Sequence, residues 1–173
     1  MQRSRRNEGY SLLETLLVVA MVGILAAFSL PLVTRATQRA RANGAAEVLA
    51  GAIRDARARA INNGNQYRVS AYDPAGAVPN AFRVEGSTNG GVAWPAVGTL
   101  TTPAGPMNDV YTNVTNNFGN AQIQVAGGTF QVTFDSRGQV VGACVPATCV
   151  VQVNNPSRTA TITVTQAGWV RIQ

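Results

Sequence analysis

The 173-residue sequence predicts an α+β protein, with a long N-terminal helix packed on an antiparallel β-sheet head. The first half of that helix reads as transmembrane and the second as amphipathic. Three observations carry this reading. Tyr10 to Leu30 is almost wholly apolar, an alanine- and arginine-rich run with helical spacing follows, and beyond Gly64 the pattern switches to alternating β-branched and aromatic residues.

Residues 1–9 are polar and basic, with Arg3, Arg5 and Arg6. Residues 10–30 form a helix of about 31 Å, enough to cross the hydrocarbon core of a bilayer. Nothing charged occurs from Leu16 to Phe28, yet Glu14 sits inside the same hydrophobic stretch. Pro31 is expected to kink or end that helix. The pattern resumes over 31–63, where Val33, Ala36, Ala40, Gly44, Val48, Ala52 and Ala56 fall near a 3.6-residue period, with Leu49, Ile53 and Ala60 beside them. Arginines 35, 39, 54, 57 and 59 point mostly elsewhere, and Arg54, Asp55, Arg57 and Arg59 read as a solvated face. Asn62, Asn63 and Gly64 supply a stop.

Residues 64–173 form the β-rich head. The expected strand segments are QYRVSAY, AFRVE, DVYTNVT, AQIQV, TFQVTF, CVVQV, TATITVT and WVRIQ, punctuated by Gly, Pro and Asn. Between Val84 and Asp109 the prolines indicate a long loop. Asp135-Ser136-Arg137-Gly138 reads as a hairpin turn and not a calcium loop, since it holds one carboxylate. Asn113-Val114-Thr115 matches a glycosylation triplet, a pattern that also arises by chance.

Composition excludes several functions. The chain has no histidine, which removes the usual general base and the commonest metal ligand. Two cysteines are too few for a structural zinc site. Neither an enzyme nor a cofactor is expected. All basic residues are arginine, and the net charge is +6. From Asn62 onward, however, Arg68, Arg83, Arg137, Arg158 and Arg171 are nearly balanced by Asp73, Glu85, Asp109 and Asp135, so the head shows no basic excess of the kind a nucleic-acid-binding domain carries.

Two plain readings of the N-terminus compete. A cleaved signal peptide would need a small-residue site, but Leu25-Ala26-Ala27 lacks one at its first position and the apolar stretch is long. A simple anchor fits the length, with an orientation left open because Arg35, Arg39 and Arg41 balance the leading arginines. Neither accounts for Glu14, because an acidic side chain at the centre of a membrane helix costs on the order of 2.5–3.5 kcal/mol, and less near the interface.

The run Gly9-Tyr10-Ser11-Leu12-Leu13-Glu14, with a basic leader before it and some twenty apolar residues after it, resembles the class III signal of type IV prepilins and type II secretion pseudopilins. The resemblance implies a pilin-like fold and cleavage between Gly9 and Tyr10 by a membrane-embedded prepilin peptidase. Tyr10 would then be N-methylated, and Pro31 would mark the end of the first part of the helix. It also implies an address: a single pass through the bacterial inner membrane, with the head in the periplasm. The partners implied are other pilin or pseudopilin subunits, the inner-membrane assembly platform and inner-membrane lipid. Glu14 gains a role on this reading. The new α-amine of Tyr10 on a neighbouring subunit would attract it in a low-dielectric setting and offset the desolvation of both charges.

Residues 49–73, 132–140 and 159–173 resemble the type II secretion pseudopilin H and FimT-type minor pilins. DNA-binding FimT-type subunits share a Gly-Arg-x-Arg motif near the C-terminus. Here the run is Gly168-Trp169-Val170-Arg171, with tryptophan in place of the first arginine, which removes one phosphate contact. Trp169 is expected to pack as a strand residue, with stacking on a single-stranded base as the alternative. DNA binding through Trp169 and Arg171 is therefore the second functional reading, after a structural role as a minor pilin or pseudopilin. A third, an anchored β-domain of unrelated activity, predicts an uncleaved N-terminus. Cys144 and Cys149 bracket Val-Pro-Ala-Thr. In an exported head they are expected to form a small-loop disulfide that stabilises by roughly 2 kcal/mol.

Overall fold

The apolar and alanine-rich runs form one helix, α1 (Leu12–Asn63), in a computed structural model that describes residues 11–76, 78–87, 90–94, 111–144 and 149–173. The helix continues through Pro31, so the proline does not end it. The chain comprises two compact units, Met1–Thr37 and Gln38–Gln173.

In the first unit the large apolar side chains among the described residues are open to solvent. Leu12 is 84% exposed, and Leu13, Leu16, Val19 and Leu25 are also well exposed. Among the described residues no helix is long and apolar enough to cross a membrane. Tyr10 and the side chains of 28–30, which the expected span includes, lie outside that description.

In the second unit the remainder of α1 buries Ala42, Ala45, Ala46, Leu49, Ile53, Ala56 and Ala60. The expected stripe was therefore rotated. Leu49, Ile53, Ala56 and Ala60 lie in the core, whereas Ala36, Ala40 and Val48 face solvent. Alanine, glycine and valine occur all round this helix, so the 3.6-residue period has little polar contrast to fix its phase. The helix stops where Gly64 adopts φ 64°, a backbone state that glycine enters without strain.

The head is built of β1 (Tyr67–Tyr72), β2 (Ala81–Gly86), β3 (Thr112–Asn113), a short helix α2 (Val114–Phe118), β4 (Gln122–Gln124), β5 (Thr129–Phe134), β6 (Val150–Asn155), β7 (Arg158–Val164) and β8 (Val170–Ile172). Among the described residues all pairings are antiparallel, in two four-stranded sheets ordered β3-β2-β1-β5 and β4-β6-β7-β8. Inward residues of both sheets, among them Val69, Phe130, Phe134, Ile123, Val153 and Ile162, share one apolar core with α1.

The expected strand DVYTNVT is corrected: Asp109 and Val110 lie outside the described residues, and of the rest only Thr112 and Asn113 pair, with Val114 beginning α2. Asn113 is the reason. Its side-chain oxygen accepts from the Asn116 amide at 2.9 Å, an N-cap that turns the chain into a helix. The amide nitrogen of that glycosylation triplet also donates to the Pro79 carbonyl.

Asn80 joins the two sheets. It adopts φ 51° and is buried; its Oδ1 accepts from the Ile123 amide at 2.6 Å, while Nδ2 donates to the Ala121 carbonyl at 3.0 Å and to the Thr115 hydroxyl. The carboxamide thus stands in for a neighbouring strand along the outer edge of β4. An open edge of that kind would otherwise leave main-chain groups unpaired.

Candidate functional site

Glu14 lies in the first turn of α1 and is exposed. Ser11 precedes the helix, and its hydroxyl oxygen accepts from the Glu14 amide at 3.2 Å. Ser-x-x-Glu is the spacing of a helix capping box, and a carboxylate in the first turn is favoured by the helix dipole. Glu14 therefore has a local reason to stand at this position besides any partner on another chain. Gly9 and Tyr10, the expected cleavage and methylation positions, lie outside the described residues.

At the C-terminal end of α1 the sequence produces a second cluster that was not legible as a whole. Arg57 was assigned to a solvated face, but its Nε donates to the Gly138 carbonyl at 2.9 Å. Its guanidinium carbon stands 5.3 Å from the centre of the Trp169 ring, a cation–π distance. Two glycine turns make this possible. Gly138, at φ 75°, closes the Asp135–Gln139 hairpin, and Gly168, at φ 79°, closes the β7–β8 hairpin. A Cβ on Gly168 would fall 2.8 Å from Arg57 Nε and nearer still to the Gly138 carbonyl. Arg57 thus draws both turns against the helix.

Trp169 does not pack as a strand residue. β8 begins one residue later, and the indole is 67% exposed, with Arg57 over one face. Arg54, Arg57, Ile61 and Trp169 line an open cavity of about 320 Å³. Arg171, expected to act beside Trp169, does not line it; it lies on the solvent face of β8 opposite Thr163. Within the hairpin, Asp135 accepts from the backbone N–H of Gln139 and from Arg137, and these bonds hold its carboxyl below the usual range. Arg59 pairs with Asp55 one turn away at 2.8 Å.

A third cluster escaped sequence reasoning entirely. Glu85 is fully buried on the face of the β1–β2 sheet that points away from α1, and it accepts from Ser70 at 2.8 Å, Arg83 Nε at 2.7 Å and Arg68. Arg83 stacks on Tyr111, and Arg68 stacks on Trp94. Burial, together with the nearby Tyr111 and Glu85, pushes the Tyr72 hydroxyl up to about 12. The only sequence signal was the row of cross-strand partners, with Arg68 opposite Glu85 and Ser70 opposite Arg83, visible once the register is known.

Cys144 and Cys149 are joined in a disulfide, with Cα atoms 5.2 Å apart. Among the described residues no group of metal-ligating side chains is assembled.

No family model and no curated relative matches the chain. Two solved structures do, both crystal forms of the type IV minor pilin FimU from Pseudomonas aeruginosa. One is 17% identical, with a TM-score of 0.50 over 79% of this chain and 91% of that chain. The other is 16% identical, with a TM-score of 0.47 over 76% and 91%. The first of these likenesses establishes the fold: a long N-terminal helix packed on antiparallel sheets, as in the FimU pilin fold.

Proposed function

We propose that the chain is a minor pilin or pseudopilin, a structural subunit of a type IV pilus or of a type II secretion pseudopilus. Prepilin peptidase cuts it between Gly9 and Tyr10 and methylates Tyr10. Residues 10–30 hold it in the inner membrane until it is drawn into a filament. One observation carries this reading: a pilin fold whose sequence carries Gly-Tyr-Ser-Leu-Leu-Glu at 9–14 and whose helix presents an uncovered apolar surface from Leu12 to Leu25. Such a surface requires lipid or other copies of the same helix to cover it. Glu14 within it finds its counter-charge in the freed amine of a neighbouring Tyr10. Glu14→Ala should leave the head folded and cleavage intact while filament incorporation falls at least about tenfold, an outcome scored by shear fractionation of filaments from cells. Incorporation equal to that of the parent would remove Glu14 from assembly.

A second reading, a minor pilin that binds DNA during uptake, is favoured by one arrangement. The exposed Trp169 ring and the Arg54 and Arg57 side chains line the same cavity. An aromatic face beside cations suits a single-stranded base and its phosphate. This reading predicts a salt-sensitive mobility shift that weakens in Trp169→Ala and in Arg54→Ala, both in the cavity. No shift at low salt excludes it.

A further inference from the structure

The outward face of the β4-β6-β7-β8 sheet is made mostly of uncharged amides and hydroxyls. Its strand register sets Gln124, Gln152, Thr161 and Gln173 in one row across the sheet. A parallel row holds Gln122, Asn154 and Thr159, and a third runs Val150, Thr163 and Arg171, the one charged residue in these rows among the described residues. The alternate residues Ile123, Val153 and Ile162 point into the core, which fixes these amides and hydroxyls outward. At the β4 end the face deepens into an open cleft of about 570 Å³. Gln122, Gln124 and Gln152 line it together with Asp73 and the apolar Pro74, Val125 and Val150. None of the three glutamine amides has a hydrogen-bond partner among the described residues.

We infer that this face and its cleft bind a neutral polysaccharide. Carboxamides and hydroxyls each offer a donor and an acceptor, the combination a sugar hydroxyl offers in return. Neighbouring rows repeat at the strand spacing of about 4.8 Å, so successive groups meet an extended polyhydroxylated chain in register. The cleft is of ligand-site size. Other partners lack their requirements here. Nucleic acid needs several cations, and Arg171 is alone. A lipid surface needs an apolar face flanked by cations. A protein partner is anchored by buried aromatic or arginine side chains at the centre of its contact, where this face has glutamine and threonine. The inference rests on the sheet face alone and not on the filament reading.

The test is affinity electrophoresis of the full-length chain in a polyoxyethylene detergent, through gels containing dextran, galactomannan or hydroxyethylcellulose, with heparin and single-stranded DNA gels beside them. Retardation by at least one neutral polymer is expected, with apparent affinity about tenfold weaker in Gln124→Ala/Gln152→Ala. Trp169→Ala should be retarded like the parent. Gln124 is exposed and Gln152 half-buried, both outside the apolar core, so the double variant should keep the parent's circular dichroism and its incorporation into filaments. That separates this inference from the proposed assembly role. Three results overturn it: no retardation in any neutral gel, retardation confined to heparin or DNA, or a double variant altered only in self-association by sedimentation.

Discussion

Arg57 shows how far a single side chain can reach in this fold. It bonds a turn carbonyl, covers an indole and lies against two glycines that accept no Cβ. Arg57→Ala should cost about 2 kcal/mol, the sum expected for a charged hydrogen bond and an exposed cation–π contact. In a Trp94→Phe background, Trp169 emission should shift on that change; an unchanged spectrum and melting point would contradict the arrangement. Glu85 is a stronger case, because removing it leaves Arg83 buried without its counter-charge. Glu85→Leu should cost about 3–5 kcal/mol by urea unfolding, and Arg83→Met added to it should recover part of that loss. A double variant less stable than the single one would contradict the pairing. Tyr72 gives a pH signature. Its folded value near 12 exceeds the ordinary 10.0, so the unfolded state releases its proton first. Stability should therefore be full below about pH 10 and fall as pH rises toward 12. Tyr72→Phe should flatten that decline in melting point.

The strands, α1 and its stop were legible because alternation and Gly64 are local signals. The phase of α1 was not, since a helix rich in alanine offers little polar contrast. The expected strand DVYTNVT ran too far, because Val, Thr and Tyr make up most of it, while the decisive group is the capping amide of Asn113. The Asn80 bridge and the Glu85 cluster depend on residues far apart in sequence, which no local pattern reports. Of the candidate sites, the Gly9–Glu14 motif was readable as a string. The Trp169 cavity was half readable, since Arg54 and Arg57 reach it through the tertiary fold. The disulfide was readable from spacing and compartment. Its ends lie within ordinary bridging distance, so Cys144→Ser/Cys149→Ser should cost roughly 2 kcal/mol in the chain-entropy picture, with the sheets retained by circular dichroism.

The whole chain pairs a head whose core is closed with an N-terminal unit whose apolar side chains are open. A head that satisfies its own core needs no partner to fold, whereas the open helix surface implies a second environment. On the proposed function, a filament of like helices would supply one, and the bilayer would supply it beforehand. On this account maturation is the event that turns an anchored protein into a subunit, because it creates the positive terminus that Glu14 meets. The most direct measurement is the intact mass of the protein recovered from its native host. The account predicts a chain that begins at a methylated Tyr10, with Met1–Gly9 gone. A chain that still begins at Met1, or one cut beyond Glu14, would contradict it.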